Sequence, residues 1–97
     1  MTQVMLKSPR GEAIEPLVVS ALEAKKNEIL TGIMKTKQKL SVFEKKFKLS
    51  TSDFVTRSHQ EIPQASEMDA IEWLGEHETL EKLQEKLSRL QEIEVCT

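Results

Sequence analysis

His77 is the residue whose setting most suggests chemistry, because carboxylates surround it in Glu72-Trp73-Leu74-Gly75-Glu76-His77-Glu78. A carboxylate–histidine cluster can hold a metal ion or move a proton. A helical zinc site, however, needs His-Glu-x-x-His, which puts two ligands on one face with a base between them. After His77 the chain reads Glu78-Thr79-Leu80-Glu81, so the second histidine is missing and the segment reads as a solvated helix face. His59 precedes the Ile62-Pro63 break and reads as a loop residue. Cys96 is the single cysteine, with no histidine near it in the chain to activate it and no second thiol to bridge. Gly11, Gly32 and Gly75 stand apart and cannot form a phosphate-cradling loop or a dinucleotide fingerprint. These readings predict a chain that is not an enzyme, with no catalytic residue, no cofactor and no metal.

The chemistry that remains is recognition by charge and apolar surface. Residues 25–48 carry eight lysines against Glu28 and Glu44, a net +6, while residues 61–97 carry ten acids against Lys82, Lys86 and Arg89, a net −7. The overall charge of −2 conceals this asymmetry. A lysine run can neutralise phosphates, but here it lacks the interleaved aromatics that stack single-stranded bases, and no zinc finger or helix-turn-helix pattern accompanies it. Nucleic-acid binding through the lysines is therefore the weakest of the binding readings. Pairing of the basic segment with the acidic one is a simpler use of the same charges.

Both charged segments must be helices for that pairing to work, and their apolar spacing says that they are. Val19, Leu22, Ile29, Ile33, Leu40, Phe43 and Phe47 recur at heptad spacing, with Lys26 and Thr36 in the skipped seats and Leu30, Met34 and Val42 widening the stripe. Pro16 suits the first turn, where its missing N–H costs nothing, and Glu12 and Glu15 suit the positive end of the helix dipole. Gly32 reads as a soft spot in this helix, by about 1 kcal/mol relative to alanine. Ser50 with Asp53 resembles a capping box, and Leu49 can staple to Phe54, which predicts a short helix over 51–59 ended by Pro63. A second long helix is expected from Ala65 or Ser66, with a seam of Trp73, Leu80, Leu83, Leu87 and Leu90 and with Ile71, Leu74 and Ile93 beside it. Gly75 is its soft spot, and Glu78–Lys82 and Glu85–Arg89 are candidate i,i+4 pairs.

Composition agrees with this plan. Three Gly and three Pro are too few for a turn-rich β fold, and three Phe, one Trp and no Tyr require a mainly aliphatic core. The expected fold is all-α: a long antiparallel helical hairpin, coiled-coil-like, with a short middle helix. Residues 1–11 read as a flexible arm, with a strand at Val4–Leu6 if a sheet partner exists, and residues 12–97 as one helical domain. At 97 residues such a thin stack leaves apolar surface open, so a homodimer or a partner is expected to complete it. Leu17-Val18-Val19 is too short a run to span a bilayer and residues 1–20 lack the apolar core of a secretory signal, which predicts a cytoplasmic protein away from membranes.

Two stretches carry a resemblance. Phe43-Glu44-Lys45-Lys46-Phe47-Lys48-Leu49-Ser50-Thr51-Ser52-Asp53-Phe54 fits F-E-x-K-Y/F-x-M/L-S/T-S/T-x-D/E-F, and Asp69-Ala70-Ile71-Glu72-Trp73-Leu74 leads into a leucine-spaced acidic tail. Over roughly residues 40–93 the chain resembles small prokaryotic antitoxin-like helical proteins encoded beside toxin-like partners. Lys48 stands where that pattern commonly has Gly to close the helix, and Ile62-Pro63 replaces its acidic, Gly-containing loop. The resemblance implies a protein that binds and restrains a cognate toxin-like protein.

The function expected from residues and resemblance together is a non-enzymatic protein-interaction module. Phe54, Trp73, Glu72 and Glu76 are its candidate partner-binding residues, since Trp is enriched at interface hot spots and acids suit a basic partner. The alternative is a self-assembling coiled-coil scaffold whose basic and acidic helices pair between chains.

Overall fold

The computed structural model describes residues 2–5, 14–57 and 67–96. Its elements are β1 (Thr2–Met5), α1 (Glu15–Phe47), α2 (Thr51–Thr56), α3 (Glu67–Gln91) and β2 (Ile93–Cys96). The architecture is the expected all-α hairpin: α1 and α3 pack antiparallel, α2 bridges them at the turn end, and the particle measures 64 × 20 × 17 Å.

α1 begins as its sequence dictates, with Pro16 in the first turn and Glu15 at the positive dipole end. It ends one residue before Lys48, whose φ of 52° and ψ of 46° place it in the left-handed region. There the Lys48 and Leu49 N–H groups both donate to the Glu44 carbonyl, which caps a carbonyl that would otherwise be left over. A lysine thus does the work usually given to glycine at a helix C-terminus. Ser50 follows at once as the N-cap of α2, its Oγ accepting from the Asp53 N–H at 3.1 Å. α2 ends at Thr56, and the Pro63 break proposed for this connector lies outside the described residues.

The long helices meet in a heptad register. Leu83 packs against Gly32, Lys39 pairs with Glu76, and Lys46 pairs with Asp69, so each step of seven along α1 matches a step of seven back along α3. Ile29, Ile33, Thr36 and Leu40 form the buried line of α1. Gly32 is more than a soft spot in this register. A Cβ there would lie 3.2 Å from Leu83 Cδ1, so the missing side chain is what lets the leucine seat against α1. Val42 departs from expectation. Instead of widening the stripe on the side of Leu30 and Met34, it lines the opposite flank with Phe43 and Glu72.

The ends of the chain correct two expectations. Thr2–Met5 lie in the segment read as a flexible arm but form a strand, close to the one allowed at Val4–Leu6 given a partner. α3 stops at Gln91, so that Ile93, expected beside its seam, opens the partner strand Ile93–Cys96. The two strands run parallel, Thr2 opposite Ile93 through Met5 opposite Cys96. A parallel pair cannot be joined by a hairpin turn, and here the whole helical body is the crossover. No helix of the described residues is long and apolar enough to cross a membrane.

Candidate functional site

Trp73 sets the geometry of the turn end. It is 0% exposed, stacks on Phe54 with ring centroids 3.9 Å apart, and has Phe43 and Phe47 at 5.6 Å each. Its Nε1–H donates to Thr51 Oγ1 at 3.0 Å, while the Thr51 N–H donates to the Glu44 carboxylate at 2.8 Å. The only polar atom of the indole is thus satisfied inside the core, and the partner that satisfies it is itself tied to α1. Leu40 and Ala70 complete the buried cluster, with Leu49 and Leu80 packed at its margin.

This placement corrects the role expected of two residues. Phe54 and Trp73, taken as partner anchors, are core side chains, because the three phenylalanines of α1 and α2 bury the indole once α3 folds back. An anchor role for them would require the hairpin to open. The two acids named with them are at the surface. Glu72 is exposed, whereas Glu76 is half-buried beside Lys39, with Lys39 Nζ 3.5 Å from its carboxylate. The Lys39–Glu76 and Lys46–Asp69 pairs at 3.5 and 3.6 Å confirm that basic α1 and acidic α3 neutralise each other at one flank. Each contributes little stability on a wet surface, at most about 1 kcal/mol. Of the two expected i,i+4 pairs, Glu85–Arg89 forms at 2.7 Å and Glu78–Lys82 does not.

Two grooves flank the hairpin. One, of about 590 Å³, runs along the flank that holds Lys39, Val42 and Phe43 of α1 and Glu72, Gly75, Glu76 and Thr79 of α3. Met68 and Ile71, well exposed, extend this side along α3 by helical spacing from Glu72 and Gly75. The other, of about 510 Å³, lies on the opposite flank between Lys37 and Leu40 of α1, Val55 of α2 and His77 and Leu80 of α3. His77 there faces Glu81 one turn on, with Nε2 2.5 Å from Oε1, which is an ordinary i,i+4 partner on a helix face. Among the described residues no group of three or more His, Cys, Asp or Glu is arranged to hold a metal ion. His59 lies outside the described residues, and Cys96 is placed only as the last position of β2.

The sequence named neither Thr51 as the acceptor for Trp73 nor the groove around Lys37 and His77. Thr51 reads as a helix-start residue, and nothing in its neighbourhood announces a bond to a side chain 22 positions away. Comparison with protein-family models, curated proteins and solved structures finds no match to this chain.

Proposed function

We propose that the chain is a non-enzymatic protein-interaction module of the antitoxin-like kind, which binds and restrains a basic, toxin-like partner protein. The observation that supports this reading is the flank around Glu72. Val42 of α1 is exposed in the groove of that flank, and Met68 and Ile71 of α3, each at least 60% exposed, adjoin it by helical spacing. Glu72 is exposed beside them, and Glu76 is already paired to Lys39. Exposed apolar residues around an exposed acid suit a partner with an apolar centre and a basic group at its edge, and they suit solvent poorly. The acidic balance of α3, seven acids against Lys82, Lys86 and Arg89, extends the same sign of charge along the helix. On this reading the aromatic core is scaffold: it fixes the spacing of α1 and α3 so that the flank is preformed.

The test is a tagged pull-down from lysate of the source cell with nuclease present, read by mass spectrometry and repeated with Ile71→Arg and Glu72→Lys. A stoichiometric small basic protein, lost with either substitution, supports the reading. Capture of no other protein, or of one that both variants retain, sinks it. A second reading, self-assembly, is favoured by the opposite flank, where Leu30 and Met34 are exposed.

A further inference from the structure

Two helices side by side leave the outer edge of each apolar stripe in water. Among the described residues, part of that edge is gathered on one flank. Leu30 and Met34 of α1 are 47% and 55% exposed and, with Ile33 and Lys37, line a shallow groove of about 440 Å³. Lys37 also lines the groove next to it, with Val55 and His77. The two grooves therefore form one continuous seat along the hairpin, on the side away from Glu72.

We infer that this seat is covered by the same seat of a second copy of the chain, related by a two-fold axis parallel to the long axis of the hairpin. Charge decides in favour of a copy over an unlike partner. The α1 side of the seat presents Lys37, its Glu44 being turned to the Thr51 N–H. At the α3 edge of the seat stands Glu81, exposed and paired with His77 one turn back. An axis along the hairpin lays α1 of each copy over α3 of the other, keeps every residue at its own height, and turns that adjacent opposition of sign into Lys37–Glu81 contacts across the interface. It also brings each Leu30–Met34 strip onto the partner's α3, so that four helices enclose the apolar line which two leave open. The same operation joins the basic helix, seven lysines against four glutamates, to the acidic one twice more. This pairing is independent of the partner reading above, which uses the opposite flank.

Sedimentation equilibrium of the full chain tests it, with far-UV circular dichroism as the check on folding. The chain is expected to sediment at twice 11.1 kDa. Met34→Glu, at an exposed position, is expected to weaken self-association by about tenfold or more with helicity retained. Lys37→Glu and Glu81→Lys each weaken it, and the two combined restore it, which a packing defect alone would not do. A monomer at every concentration overturns the inference. So does a dimer that Met34→Glu leaves unchanged, since the contact then lies elsewhere. Should Met34→Glu lose helicity, the charge-reversal set decides: no restoration in the double variant overturns the α1-on-α3 pairing. Capture through this flank of a different protein in place of a second copy overturns it as well.

Discussion

At the turn end of the hairpin Trp73 is sealed among Phe43, Phe47 and Phe54, with its one polar atom bonded to Thr51. At the far end Leu83, Leu87 and Leu90 remain half-buried against the α1 line that runs from Leu22 to Ile33. The helices are the same two, so the difference lies in what covers them. Near the turn α2 lies across the α1–α3 seam and supplies Phe54 and Thr51 as a third wall. Toward the termini the additional element among the described residues is the two-stranded β1–β2 ribbon of four residues per strand. Along the rest of the described hairpin the two helices bury only the single line of Ile29, Ile33 and Thr36. The added wall of α2 buries residues of both long helices, Leu40 with Ala70 and Trp73, and large flat aromatics make that closure with few residues.

The strongest way to break this contrast is Trp73→Ala. It empties the sealed end and should cost about 3–5 kcal/mol, enough to lose helicity in a chain of this size, as read by thermal unfolding under circular dichroism. Leu87→Ala at the far end removes a half-buried side chain and should cost only about 1–2 kcal/mol. Equal losses from the two would show that the ends do not differ. Thr51→Val keeps the shape of the wall but strands the indole N–H in the core. A loss of about 1–3 kcal/mol in urea unfolding is expected, against almost none when Trp73 has already been replaced by Phe.

Smaller effects sharpen the comparison. Lys48→Gly relieves the left-handed backbone at the turn and should stabilise by about 1 kcal/mol. The two helical glycines then separate the middle of the hairpin from its surface. A Cβ at Gly75 meets nothing within 4 Å, so Gly75→Ala should gain about 0.5–1 kcal/mol of helix propensity. Gly32→Ala must push Leu83 aside, so its gain should be smaller than that of Gly75→Ala or become a loss. If Gly32→Ala proves the more stabilising of the two, Leu83 is not seated on α1 as described.

Much of this was readable before folding. The spacing of Ile29, Ile33 and Leu40 announces a helix stripe, Pro16 announces a start, and Ser50 with Asp53 announces α2, because each signal acts within one or two turns of chain. The candidate site was less legible. Glu72 is an exposed acid, but Trp73 and Phe54 look alike as anchors or as core until the third phenylalanine is placed around the indole. Hot-spot aromatics and core aromatics have the same chemistry, and only burial separates them. The strands were hardest: Thr2–Met5 and Ile93–Cys96 are four residues each, too short to carry a period, and each needs the other.

By itself, then, the order of residues determined the two long helices, their opposite charge and the break between them. These are properties of periodicity, capping and composition, which act along the chain. Only the tertiary structure decided the heptad register that sets Leu83 into Gly32, the use of Thr51 to satisfy Trp73, and the pairing of the two termini. Those outcomes depend on contacts between residues far apart in sequence, whose energies exist only after the helices have come together. The exposure of Leu30 and Met34 on one flank and of Val42 on the other belongs to the same class. Which apolar residues a helix leaves in water is settled by which neighbour covers it, and that neighbour comes from elsewhere in the chain.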